Sequence, residues 1–314
     1  MQNLYSITKP NALILCCNTD WLPSAAVTLL SCVQHGAAEV ADLYVAVIGA
    51  RTSDQEDFLR FTKDSGFTAK LIEVSLPKEF ATFPALRFSP AALLRLQLDE
   101  ILPADYMRVL YLDCDILAQG SVADIFAADL KGKAVGAVED YQSLPGPLSL
   151  FSSHTQEIGL GRNARYFNSG VLLFDWVQTR KNGHLRRCVE RIFRSHQQGQ
   201  RLNLPDQDML NLEFAGEWQR LDLRFNLMAF FVDYFPATPV FRHFSNRQKP
   251  WGALWQPGFS QARAVYREIL GRSPWPDYVP GRYKRPSLEG TGGIILRKLD
   301  PISGRRYRKH LERP

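Results

Sequence analysis

Two aspartates one residue apart, Asp113 and Asp115, close the segment Met107–Asp115 (Met-Arg-Val-Leu-Tyr-Leu-Asp-Cys-Asp). Val109 to Leu112 form a short apolar run, the pattern of a strand buried on both faces. Side chains two positions apart on an extended backbone point the same way, so both carboxylates can meet one hard cation just past the strand's C-terminal edge. Open α/β sheets bind ligands at that edge. The bland alternative is a turn in which two solvated aspartates cap the next segment, and the pair taken alone favours that alternative. Other polar groups stand at comparable places. Asn18, Asp20 and Trp21 follow an apolar run, Arg95 interrupts the apolar face of a helix, Glu139 and Asp140 end another run, and His243 ends a late one. Each also has an ordinary structural use, as a turn, a snorkelling cation or a hydrogen-bonded core histidine.

Strands and helices must bring these positions together. Ala12–Cys16, Leu43–Ile48 and Thr68–Val74 read as buried strands, separated by a helix at Pro23–Gln34 and one that Ser53 caps and that runs to about Ser65. Such a βαβαβ opening predicts an α/β protein with a mostly parallel central sheet flanked by helices. The turn after the first strand has no G-x-G-x-x-G, so the usual dinucleotide phosphate cradle is missing. Ser89–Ile101 carries a serine N-cap and Pro90 and predicts a helix. Further helices are expected at Ser121–Phe126, at Gln178–Gln198 and from Pro205, with Asp206 in the first turn. Further strands are expected at Ala134–Val138, Val171–Phe174 and Pro239–Phe244. The Ser-, Gly- and Pro-rich stretch Tyr141–Arg165 reads as a long surface loop of the kind that forms lids or acceptor-binding segments.

Composition narrows the class. At 314 residues, 45% hydrophobic and 22% charged, the chain reads as a soluble globular protein. No apolar run approaches membrane-spanning length, and the first residues lack a signal-peptide pattern. Five cysteines without metal-type spacing (Cys16, Cys17, Cys32, Cys114, Cys188) read as reduced buried thiols, so the expected location is the cytoplasm. Charge is uneven: residues 272–314 hold eleven Lys/Arg against four acids, +7, leaving about −1 for the rest of a chain whose net charge is +6. We therefore divide the chain into a domain over 1–272 and a basic extension over 273–314. The extension has no nucleic-acid motif, and two readings stay open for it: a solvated terminus, or contact with an anionic membrane surface that would place the protein peripherally at the inner face of the plasma membrane.

Four segments occur in one order: Val109–Asp115, Tyr166–Leu173 (Tyr-Phe-Asn-Ser-Gly-Val-Leu-Leu), Pro205–Asn211 (Pro-Asp-Gln-Asp-Met-Leu-Asn) and His243–Trp251 (His-Phe-Ser-Asn-Arg-Gln-Lys-Pro-Trp). So arranged, the chain resembles glycosyltransferase family 8, retaining enzymes of the GT-A, Rossmann-like fold. The resemblance runs from about Asn11 to Trp251. It implies that Asp113, Asp115 and His243 hold a manganese ion, with magnesium as the other candidate, and that this ion binds the diphosphate of a UDP-sugar. It further implies that Asn18, Asp20 and Trp21 meet uracil and ribose, Asn18 standing where the family usually has an acid. Arg95, Asp140, Asn168, Asp206 and Gln207 match sugar-contacting positions, and Lys249 a diphosphate-binding lysine. Asn246 replaces a glycine that usually approaches the phosphate. Gln207 and Asp208 are the candidate catalytic groups beneath the anomeric carbon; an Asp208 nucleophile means double displacement, whereas front-face attack needs none.

The expected activity is metal-dependent transfer of galactose or glucose from a UDP-hexose donor to a saccharide acceptor, a lipopolysaccharide core or another lipid-linked glycan. Two carboxylates and an imidazole leave an octahedral ion room for two phosphate oxygens, in keeping with that activity. The alternative is a non-catalytic nucleotide-sugar or glycan-binding module on the same fold.

Overall fold

The computed structural model describes residues 8–77, 80, 90–140, 152–161, 164–199, 204–228, 238–245, 249 and 259–278. Ten strands are formed among them: β1 (Asn11–Asn18), β2 (Asp42–Ile48), β3 (Lys70–Glu73), β4 (Arg108–Leu112), β5 (Ile116–Ala118), β6 (Val135–Glu139), β7 (Phe167–Asp175), β8 (Trp218–Arg220), β9 (Leu227–Met228) and β10 (Phe241–His243). Seven make the central sheet, in the order β3-β2-β1-β4-β7-β6-β8, and β5-β10-β9 form a small second sheet. In the large sheet β7 runs antiparallel to β4 and β6, and the other pairings are parallel. The mostly parallel sheet expected from the βαβαβ opening is therefore present, with one strand reversed.

Period-2 alternation along β1 explains why its run is apolar throughout. Leu13, Leu15 and Cys17 enter one core with residues of the helices α1 (Leu22–Val33) and α3 (Thr52–Asp64), whereas Ala12, Ile14 and Cys16 enter a second core on the other face. Between the first two of these helices lies the short α2 (Ala37–Val40). Leu93, Leu94 and Leu96 from a 3-10 coil at Pro90–Leu96, and Leu98 and Ile101 from α4 (Leu98–Ile101), fill the second core. The described residues add α5 (Ala123–Phe126), α6 (Ser152–Glu157), α7 (Trp176–Asn182), α8 (His184–Gln197), α9 (Pro205–Glu213) and α10 (Phe259–Gly271).

Three helix expectations are corrected. The residue before α3 is Arg51, and its N–H is closed by the Asp54 carboxylate at 2.9 Å, so an acid three residues on, rather than Ser53, forms the cap. The helix expected over Ser89–Ile101 is the 3-10 coil followed by α4, with Ser89 outside the described residues. The helix expected over Gln178–Gln198 is two helices parted at Gly183, whose φ of 63° closes α7 in a left-handed conformation that glycine adopts at little cost. Within the expected loop Tyr141–Arg165, residues 152–157 form α6. The chain beyond residue 272 stays on the domain as far as described: Trp275 and Tyr278 pack against the first core.

Candidate active site

Two strand registers build the centre of the site. In the small sheet, His243 on β10 lies opposite Ile116 on β5, and the ladder continues with Phe244 N–H donating to the Asp115 carbonyl at 3.0 Å. The imidazole is thereby carried beside an acidic pair more than a hundred residues earlier. In the large sheet, Leu112 on β4 lies opposite Val171 on β7, and Asp113 N–H donates to the Gly170 carbonyl at 2.9 Å. Gly170 leaves the space the imidazole occupies. A β-carbon there would stand 2.2 Å from His243 Cε1 and 2.9 Å from Asp113 Oδ2.

Ligand atoms of Asp113, Asp115 and His243 all fall within 4.8 Å of one another. His243 Nε2 is 3.2 Å from Asp115 Oδ1 and 3.7 Å from Asp113 Oδ2. Asp115 Oδ1 is buried and receives no hydrogen bond from the described residues. Two carboxylates and one imidazole are the donor set of a divalent cation with oxygen and nitrogen preference, and an orphaned buried oxygen among them fits such a cation. Other residues hold the carboxylates in place. Asp113 Oδ1 accepts from Tyr111 Oη at 2.6 Å and pairs with Arg95 at 2.9 Å, which leaves Oδ2 toward His243. Asp115 Oδ2 is held by Lys249, which also donates to the Phe244 carbonyl. Burial opposes ionisation of Asp115, but Lys249 and then His243 outweigh it and hold the carboxyl well below its usual range.

Arg95 extends the cluster. Almost fully buried, it donates to the Ser169 carbonyl and hydroxyl at 3.0 Å, pairs with Asp206 at 3.2 Å and lies over the Tyr111 ring. Burial lowers its affinity for a proton, yet Asp113, Tyr111 and Asp206 together outweigh it, so the guanidinium stays charged. Asp206 is raised above its ordinary value by burial, an effect that Arg95 partly offsets. Next to it, Gln207 Oε1 accepts from Ser169 N–H at 2.9 Å and from Asn168 Nδ2 at 3.3 Å. Asn168 Nδ2 also donates to Asp140 Oδ2 at 3.0 Å. The polar residues expected around a sugar thus stand in one buried network.

A cavity of about 180 Å³ opens beside this network. Asn18, Trp21, Ala91, Arg95, Asp113 and Asp115 are among the residues that line it, so the end of β1 and the acidic pair share one space. Asn18 Oδ1 is buried there without a hydrogen-bond partner among the described residues. Asp20 is exposed, and its carbonyl accepts from Tyr278 Oη at 2.6 Å. Asn246 lies outside the described residues.

Asp208 is placed differently from the other acids. It is fully enclosed, and its Oδ1 binds His154 Nε2 at 2.7 Å and Tyr166 Oη at 2.6 Å, while Oδ2 accepts from Leu204 N–H at 3.3 Å. The carboxylate ties α6 to the start of α9. The hydrogen bond to Asp208 raises the His154 pKa above its ordinary 6.5, with Glu157 and Asp140 adding to it. A histidine raised in the folded state stabilises fully below its unfolded value and loses that contribution as pH rises through the folded one. Thermal unfolding of the wild type and His154→Gln is therefore expected to differ most near pH 5.5 and progressively less toward pH 9, where equal gaps at both ends would contradict the ion pair.

Several site residues have no counterpart in the sequence reading as functional groups: Tyr111, Ser169, Gly170, Asn226 and Tyr278. Tyr111, Ser169 and Gly170 sit inside two of the quoted segments, so their neighbours were the available signal. Tyr278 lies past the expected domain edge, and Asn226 lies in a stretch without periodicity.

With this geometry in hand, comparison with known proteins is direct. The sheet order is that of the GT-A fold, with the acidic pair at the end of β4 and the returning histidine beside it. The chain belongs to glycosyl transferase family 8, whose sequence profile matches residues 12–254. It is 28% identical over 207 residues to the glycosyltransferase GlyF of Streptococcus pneumoniae, covering 63% of this chain and 46% of GlyF. It is 27% identical over 187 residues to the lipopolysaccharide glucosyltransferase WaaO of Escherichia coli, covering 55% of this chain and 53% of that one. The lipopolysaccharide 1,3-galactosyltransferase of Salmonella typhimurium is 26% identical over 187 residues, with 55% and 53% covered. The matches thus span about half the length of these relatives. Among solved structures, the galactosyltransferase LgtC in complex with donor and acceptor sugar analogs shares the fold at TM-score 0.68 and 22% identity, covering 90% of this chain and 99% of that one. Among the described residues no helix is long and apolar enough to cross a membrane.

Proposed function

We propose that the protein is a metal-dependent retaining hexosyltransferase that moves galactose or glucose from a UDP-sugar to a saccharide acceptor, a lipopolysaccharide core or another lipid-linked glycan. One observation carries this reading. Three metal-type ligands converge, and two of them, Asp113 and Asp115, line one cavity together with an aromatic ring, Trp21, and Asn18, whose buried Oδ1 has no hydrogen-bond partner among the described residues. A nucleotide base offers a stacking face and N–H donors, so it suits Trp21 and Asn18, and a diphosphate suits a cation at the three ligands.

Asp113, Asp115 and His243 would hold a divalent cation, manganese or magnesium, which would supply Lewis-acid stabilisation of negative charge on a departing UDP. The protein adds Lys249, whose fixed ammonium stands beside Asp115, where the leaving diphosphate becomes more negative. Arg95, Asp140, Asn168 and Asp206 present fixed donors and acceptors to the hexose hydroxyls. Gln207, with Oε1 turned to Ser169 and Asn168, ties these residues together. Asp208 is assigned a positioning role, since it is enclosed and both oxygens already carry hydrogen bonds. That placement favours front-face attack over double displacement through Asp208. Asn246 and the basic residues beyond 278 are assigned to diphosphate approach and to an anionic, acceptor-bearing surface on sequence grounds.

UDP release from a panel of UDP-sugars, with manganese, with magnesium and with chelator, tests the proposal. Release from UDP-galactose or UDP-glucose that needs the metal supports it. Failure of every UDP-sugar to turn over, or turnover indifferent to chelator, overturns it.

A further inference from the structure

A chain of side-chain amides runs away from the metal-type cluster, and its polarity is fixed from the far end. Gly170 N–H can only donate, and it does so to Asn168 Oδ1 at 3.0 Å, which turns Asn168 Nδ2 toward the Asp140 carboxylate. Asn168 Oδ1 accepts a second bond, at 2.9 Å, so the atom of Asn226 that faces it must be the Nδ2 donor. Asn226 Oδ1 is then the atom 2.9 Å from His243 Nδ1. An amide oxygen can only accept, so Nδ1 must carry a proton, and in the neutral ring Nε2 then presents its lone pair. Nε2 is the nitrogen that faces Asp113 and Asp115. Asn226 is itself wholly buried and cannot trade this bond for one with water. Its position is also fixed by the backbone: β9 starts one residue later and runs parallel to β10, pairing Met228 with His243.

We infer that Asn226 is a positioning residue that sets the tautomer and ring orientation of His243, and so prepares Nε2 as a ligand before any ion arrives. A buried amide in this place does what a carboxylate or carbonyl partner does for a metal-bound histidine. The same bonds make Asn226 the joint between the metal-type cluster and the Asn168–Asp140–Gln207 network, which is held at the other end of the chain. The inference rests on reading Asp113, Asp115 and His243 as a metal site.

Two measurements test it, only one of which involves a metal. In protein labelled with nitrogen-15 histidine, at a pH where the ring is neutral, long-range proton–nitrogen spectra are expected to show a protonated Nδ1 and an unprotonated Nε2 for His243, identified by the signal lost in His243→Asn. In manganese titrations followed by electron paramagnetic resonance, Asn226→Leu is expected to bind about 10- to 100-fold more weakly than the wild type. Asn226→Asp, which keeps an acceptor for Nδ1–H, should lie nearer the wild type than Asn226→Leu does. A wild-type ring protonated at Nε2, or Asn226→Leu with unchanged affinity, overturns the inference. Should Asn226→Leu fail to fold, the wild-type spectrum decides alone. A wild type that binds no manganese overturns the metal-site reading instead, and the spectrum still reports on Asn226.

Discussion

Asp115→Asn is expected to lower metal-dependent sugar transfer by about a thousandfold, the rate equivalent of about 4 kcal/mol, while leaving the fold intact. Asp115 is buried and serves two partners through separate oxygens, His243 Nε2 facing Oδ1 and Lys249 holding Oδ2. The amide keeps the shape and removes the charge. A cation then loses one anionic ligand, and Lys249 loses the counter-charge that fixes its ammonium beside the diphosphate position. The backbone bond from Phe244 N–H to the Asp115 carbonyl does not depend on the side chain, so the small sheet is retained. Turnover of the preferred UDP-sugar, together with manganese affinity and circular dichroism, checks this. Activity within tenfold of the wild type in a folded variant would remove Asp115 from the centre.

Gly170→Ala is the second large effect, and it acts through shape alone. The added methyl would stand 2.2 Å from His243 Cε1 and 2.9 Å from Asp113 Oδ2, closer than carbon atoms approach. His243 is wedged between β5 and β9 and cannot swing away cheaply, so ring and carboxylate must part. A displacement of about 1 Å at reacting groups can cost on the order of a hundredfold, and at least that loss is expected in metal-dependent turnover. Gly136→Ala is the control. Its methyl meets Leu130 Cδ2 at 2.5 Å and the two Leu221 methyls at 3.1 Å. Such overpacking is expected to cost about 1–3 kcal/mol of stability and no manganese affinity. Equal effects of the two substitutions on metal binding would show that Gly170 acts only through folding.

Asp113 and Asp115 were legible in the sequence because strand periodicity alone fixes where two side chains at i and i+2 point. The β1 to β3 opening was legible for a similar reason, since a strand buried on both faces is written as an unbroken apolar run. His243 is another matter. What puts it beside Asp115 is the antiparallel register of β10 on β5, strands of three residues each, too short to show a period. Its place in the site came from the order of four segments, which carried the family resemblance. Asn226 was out of reach altogether, because its partners lie 17 residues ahead and 58 behind. Two features were readable and missed. Asn182-Gly183 is a helix-stop signal inside the stretch read as one helix. Ala262, Tyr266, Ile269 and Leu270, the buried stripe of α10, repeat at i, i+4, i+7 and i+8, the spacing of an amphipathic helix.

A crystal soaked with manganese and a non-hydrolysable UDP-hexose tests the central claim most directly, read by anomalous scattering at the manganese edge. The account predicts one anomalous peak bonded to Asp113, Asp115 and His243 Nε2 and to oxygens of both phosphates, with the base between Trp21 and Asn18. A nucleotide bound with no ion at those three side chains, or an ion held elsewhere, would contradict it.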